Sequence, residues 1–310
     1  GDEMLHAFGR LDDLLQRYPL RGLQGAVGTG LDQLTLLGGD KKKFEQLNAE
    51  FLTHFGVSQG LNAVGQIYPR SIDFEAISCL YQLGSGLANL AKTLRLMAGG
   101  EMVTEGFSKG QVGSSAMPHK MNTRSLERIN GLQVVLGGYL HMIGTLAGDQ
   151  WFEGDVSCSV VRRVVLPDSI FAFDGMLETA LHVLNDMGVY DKAVGAELNR
   201  FLPFLATTTL LMESVQRGAG RELVHGAIKE HAVAVAIGMR EQGLAENDLA
   251  HRLGNDDRIP LAESEIQRML DRSDSFVGLA VEQVGRFVVE VEKVVNRFPE
   301  SKKILKSPML

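Results

Sequence analysis

Between residues 108 and 122 the chain reads Ser-Lys-Gly-Gln-Val-Gly-Ser-Ser-Ala-Met-Pro-His-Lys-Met-Asn, a run without helical periodicity and dense in reactive side chains. Adjacent hydroxyls stand at Ser114 and Ser115, and His119, Lys120 and Asn122 follow closely. Gly110 and Gly113 permit backbone conformations that other residues avoid. A hydroxyl works as a base only where neighbours stabilise its alkoxide; glycine N–H groups and an ammonium are such neighbours. Cleavage of a C–N bond β to a carboxylate needs this set. It removes a weakly acidic carbon proton, so a general base must lie within hydrogen-bond reach. Charge then develops on the carboxylate, and donors such as Lys and Asn stabilise it. The plainer reading is a surface loop in which Ser115 caps the next helix. Functional groups nonetheless favour loops carried on rigid scaffolds.

Such a scaffold is written on both sides of the loop. Phe74, Ile77, Leu80, Leu83, Leu87 and Leu90 recur at steps of three and four, which marks one face of a helix. The helical pattern resumes after the loop from about Thr123 to Leu140. Met176, Leu177, Ala180, Leu181 and Leu184 form another stripe, with Pro167 ahead of them as a first-turn proline. Further stripes run from Val224 through His231 to Met239, and from Val277 to Val295. No pair of alternating strands with hairpin turn residues is evident. The expected fold is all-α, a bundle of long helices. Gly218 and Gly220 read as a joint. The expected domains are therefore 1–215, a central helical bundle carrying the loop 108–122, and 216–310, a small helical C-terminal domain.

Composition narrows the function classes. The chain of 310 residues carries a net charge of −7, so no global basic field exists for nucleic acid or an anionic membrane. No apolar run reaches the about 18–20 residues of a membrane span. Two cysteines, Cys79 and Cys158, make no disulfide framework and fit a reducing, cytoplasmic setting. His225 and His231 are spaced six apart, not the three or four that share a metal on a helix, so no metal site is expected. His231 reads as a core histidine and Trp151 as a packing residue. The chemistry outlined above requires no cofactor.

The segment Gly113–Asn122 resembles the signature loop of the fumarase/aspartase superfamily, GSSxMPxKxN. The inner His119 is similar to adenylosuccinate lyases and to the related cycloisomerases. The likeness to the adenylosuccinate lyase family extends to Arg17-Tyr18-Pro19, Gly25–Thr29, Val64–Arg70, Gly148–Trp151, Asp155–Arg163 and Leu166-Pro167-Asp168. It covers roughly residues 4–297. The resemblance implies a homotetramer whose central helices assemble into one core, with active sites shared between subunits. It also implies small-molecule chemistry: release of fumarate from adenylosuccinate to leave AMP, and from the succinyl-aminoimidazole carboxamide ribotide of purine biosynthesis.

The same resemblance assigns roles. Ser114 is the general base, with Ser115 and Met121 beside it against the substrate. Lys120 and Asn122 bind the carboxylates that become fumarate. Glu127 supports the loop, although a surface helix charge fits it too. Gln66 contacts the substrate, or is merely a polar residue at a helix start; Arg70 reads better as structural. Ser159 and Arg163, four apart and so on one helix face, bind the nucleotide phosphate in preference to Arg162. In one departure, many family members carry Arg immediately before Asp155, where this chain has Gly154. The family's general acid is a histidine in a Thr-His or Ser-His motif upstream of Arg-Tyr-Pro. His6 lacks those neighbours, so the chain is expected to lack an N-terminal region and to be inactive alone. The alternatives are a cycloisomerase of the superfamily and a non-catalytic helical scaffold.

Overall fold

The computed structural model describes residues 1–106, 121–151 and 153–303. The signature-loop residues Ser114, Ser115 and Lys120 therefore lie outside the described residues. The described chain is almost wholly helical and divides into two compact units, Gly1–Gly188 with Arg297–Leu310, and Val189–Asn296.

The first unit contains α1 (Asp2–Arg17), α2 (Leu31–Leu36), α3 (Lys41–His54), α4 (Ser71–Gly99), the two-residue strand β1 (Val103–Thr104), α5 (Arg124–Leu146) and α6 (Val156–Asp186). A second short strand, β2 (Gly188–Val189), pairs with β1. Helices α4, α5 and α6 pack on one another, and α1 packs on α4. Leu87, Ala91, Leu126, Ile129, Leu136 and Met176 are buried between them. Close approach depends on Gly84: a Cβ there would meet Leu136 Cδ1 and Met176 Cε, each at 3.3 Å, besides colliding with Gln133.

Pro167 differs from the expectation. It lies inside the 31-residue α6 and does not begin a helix. Lacking an N–H, it leaves the carbonyl of Arg163 without its in-helix donor. Pro167 is exposed, so water can serve that carbonyl. Trp151 also departs from its reading as a packing residue, being 79% exposed. The outer faces of α5 and α6 show further uncovered apolar side chains, among them Val134, Val160, Ile170 and Phe171.

The second unit contains α7 (Asp191–Leu205), α8 (Thr207–Gln216), α9 (Arg221–Glu241), α10 (Leu249–Gly254), α11 (Glu263–Leu270) and most of α12 (Ala280–Arg297). Its core draws on Leu210, Val224, Val235, Leu249, Leu253 and Ile266. Gly218 and Gly220 stand in the turn between α8 and α9, and both helices pack into this core. His231 is largely buried on α9 and bonds Asp256 Oδ2 through Nε2 at 2.7 Å. Among the described residues no helix is long and apolar enough to cross a membrane.

One capping arrangement controls where α5 starts. Thr123 occupies the N-cap position without a side-chain cap bond. Glu105 supplies the acceptor instead: its largely buried carboxylate takes the Ser125 N–H at 3.0 and 3.1 Å and the Leu126 N–H at 3.1 Å. Glu105 stands just before the signature loop, and Ser125 just after it. Glu105→Ala would leave two donors unpaired at the start of a packed helix, costing about 1–2 kcal/mol. The expected outcome is a lower urea midpoint with an unchanged denaturant slope.

Candidate active site

The described part of the site is built where three chain segments meet: residues 18–30, residues 64–73 and the first turns of α6. Arg21 joins the first two by donating to the Gly65 carbonyl from Nε at 3.1 Å and to the Gly25 carbonyl from Nη2 at 2.6 Å. The Gly25–Thr29 stretch thereby seats on Val64 and Gly65. Gly28 is obligatory there, because it holds φ +83° and a Cβ would collide with the Val64 carbonyl. A cavity of about 360 Å³ is lined by residues 18–22 together with Phe51, Phe55 and Tyr68.

A charged cluster forms around residues that follow Gln66 in the chain. Asp73, 2% exposed in the first turn of α4, accepts from the Tyr68 hydroxyl at 2.7 Å and from Arg162 Nε at 2.7 Å. Arg162 also donates to the Tyr68 hydroxyl. The Arg70 guanidinium stacks 4.6 Å from the Tyr68 ring centre and stands 3.9 Å from Asp73. Arg70 is 4% exposed, and its Nε and Nη1 have no hydrogen-bond partner among the described residues. Burial, followed by the Asp73 hydrogen bond and charge, pushes Tyr68 up to about 12. Burial and the Asp73 charge also raise Tyr18.

Asp155 opens α6 as its N-cap. Its carboxylate accepts the Cys158 N–H at 2.7 Å and the Ser157 hydroxyl at 2.6 Å. Those bonds hold it below the usual carboxylate range, as expected for an anion at a helix N-terminus. Ser159 and Arg163 follow one turn apart. Arg163 is exposed and makes no ion pair among the described residues, whereas Arg162 is committed to Asp73.

The structure thus places Gln66, Ser159 and Arg163 around the start of α6, with Gln66 Oε1 accepting the Gly154 N–H at 2.8 Å. Glu127 lies separately in the first turn of α5. It is exposed, 3.9 Å from Arg95 and 3.5 Å from the Thr123 hydroxyl. Met121 and Asn122 lead into that helix. Among the described residues no His, Cys, Asp and Glu cluster is arranged to hold a metal ion. The sequence reading did not single out Asp73 or Glu105, and it named Tyr68 and Gln150 only within the family segments Val64–Arg70 and Gly148–Trp151, without a role. Their partners lie up to 94 positions away, so no local spacing marks them.

Comparisons with known proteins bear on family and fold. Residues 2–138 match a family model described as "Lyase", and residues 203–287 match one described as "Adenylosuccinate lyase C-terminus". Adenylosuccinate lyase of Saccharomyces cerevisiae is 34% identical over 277 residues, covering 89% of this chain and 56% of the relative. That of Schizosaccharomyces pombe is 32% identical, covering 86% and 55%. The chain thus spans little more than half the length of these relatives. In fold, it is similar to 3-carboxy-cis,cis-muconate lactonizing enzyme from Pseudomonas putida, with a TM-score of 0.74 at 22% identity over 93% of this chain and 61% of that one. Fold and matched segments together define the class, the all-helical fumarase/aspartase superfamily. Within that class, the chain belongs to the adenylosuccinate lyase family.

The cluster makes two checkable statements. Arg162→Met leaves Asp73 buried with one partner fewer, and stability should fall by about 3 kcal/mol in denaturant titration. Folded Tyr68 keeps a proton that the unfolded chain releases. Its contribution to stability is therefore complete below pH about 10 and lost as pH rises toward about 12. Ultraviolet titration should show late-ionising tyrosines, Tyr68 and Tyr18 among them, and Asp73→Asn should bring these two earlier.

Proposed function

We propose that the whole protein is a lyase that eliminates fumarate from adenylosuccinate to leave AMP, and from the succinyl-aminoimidazole carboxamide ribotide, in purine biosynthesis. The observation that carries this reading is the pair of adjacent arginines on α6. Arg162 is bound to Asp73, whereas Arg163, one turn from Ser159, is exposed and makes no ion pair among the described residues. An exposed guanidinium one helical turn from a hydroxyl suits a phosphate, as the nucleotide requires. The family match over residues 203–287 supports the same substrate.

In this mechanism Ser114 takes the proton from the carbon β to the departing nitrogen. Lys120 and Asn122 hold the carboxylates on which charge develops, with Ser115 and Met121 completing the contact. Glu127 supports the loop from the first turn of α5. The general acid that protonates the leaving nitrogen is a histidine in the length of the relatives that this chain does not span. We further propose a cytoplasmic homotetramer with shared active sites. The uncovered Val134, Val160, Ile170 and Phe171 on α5 and α6 support it, since apolar surface of that extent marks an interface.

Fumarate release from adenylosuccinate by the full-length protein tests the reading. Ser114→Ala should lower kcat on the order of 100- to 10,000-fold. Arg163→Ala should raise KM by roughly tenfold or more, the scale of a charge-assisted hydrogen bond. A wild-type protein that forms a lactone and no fumarate would move the assignment to a cycloisomerase. Unchanged nucleotide affinity in the Arg163 variant would remove the phosphate role.

A further inference from the structure

Residues 66–70 and 150–154 are fastened by two reciprocal clamps. Gln66 Oε1 accepts the Gly154 N–H at 2.8 Å, and Gln150 Oε1 accepts the Arg70 N–H at 2.8 Å. The pairing of 66 with 154 and of 70 with 150 means that the two segments run in opposite directions. No backbone–backbone bond joins them among the described residues. Their register therefore rests on two side-chain amides.

The clamp fixes the polarity of Gln66. A backbone N–H only donates, so the atom facing Gly154 must be the amide oxygen, and Nε2 is the end left over. Gln66 is exposed, and its Nε2 makes no hydrogen bond among the described residues. It offers two N–H donors and no competing acceptor lone pair on that nitrogen. Gly154 itself has little room to vary. A Cβ would stand 3.1 Å from Ile67 Cγ2 and 3.7 Å from Gln66 Oε1, so a side chain there presses on the clamp. This is also the position at which the chain departs from the family pattern.

We infer that Gly154 is a positioning residue, which turns Gln66 into a fixed hydrogen-bond donor toward an anionic oxygen of the substrate. The inference rests on the proposed lyase reading and deepens it. The oxygen belongs to a carboxylate or to the phosphate, both acceptor-only groups that an amide N–H recognises. Gly154 acts through its N–H and its lack of a side chain, and does not touch the substrate.

Gln66→Glu separates clamp from donor. The introduced carboxylate still accepts the Gly154 N–H, but turns an acceptor where the donor stood. In the full-length protein, KM for adenylosuccinate should rise on the order of tenfold to a hundredfold, while kcat changes far less and the thermal midpoint holds. Fumarate and AMP, measured separately as product inhibitors, identify the oxygen: the one whose inhibition weakens carries it. Gly154→Ala keeps the N–H but displaces Ile67, and should raise KM about two- to fivefold with kcat preserved. This second variant decides the matter should the first unfold. An unchanged KM in a folded Gln66→Glu or in Gly154→Ala overturns the inference, as does a loss confined to kcat. Failure of the wild type to release fumarate or to bind either product is a different result: it overturns the lyase reading, and this inference with it.

Discussion

A buried carboxylate must be paired, and the pairing of Asp73 organises the first unit. Asp73 lies in the opening turn of α4, Tyr68 and Arg70 precede it, and Arg162 reaches it from the second turn of α6. One anion thus fixes the start of one long helix against the start of another. Gln66 lies two residues ahead of Tyr68, and Arg163 is the neighbour of Arg162, so both inherit their positions from this cluster. The arrangement is also unbalanced, since one carboxylate faces two guanidinium groups. Tyr68 eases the imbalance by stacking with both, at 4.6 Å from Arg70 and 5.2 Å from Arg162.

Elsewhere in the unit, acidic side chains take up the free N–H groups at helix starts. Asp155 neutralises the first N–H groups of α6 from within the helix start, whereas Glu105 does the same for α5 from 20 residues upstream. The difference matters for function. A local cap fixes only its own helix, but a distant one also fixes the distance between the two feet of the segment it spans. Arg21 plays a comparable part between Gly25 and Gly65, with backbone carbonyls as its acceptors.

Most of the fold was legible because it is written in periodicity. The stripes from Phe74 to Leu90 and from Val224 to Met239 fall inside α4 and α9 as observed. Pro167 misled because a proline marks a helix start only by tendency; an exposed helix face tolerates one in its interior. Trp151 misled because an aromatic side chain says nothing of which chain covers it. The signature loop was the clearest signal in the sequence, being contiguous, whereas its supports were invisible. Glu105 and Asp73 act across tens of residues and go unremarked until the helices bring them to their partners, and Gln150, though part of a family segment, showed its bond to Arg70 only in the structure. Asp155 was legible as part of a family motif, although its role as a cap emerged only from the hydrogen bonds.

Trp151 is the sole tryptophan of the chain, 79% exposed, and adjacent to Gln150, whose side chain secures Arg70. Indole emission from this chain therefore originates at one point, on the rim of the segment that lies along Gln66. The protein carries a built-in optical probe: water around the ring reddens its light, and any surface that settles over residues 150–154 shifts it to the blue.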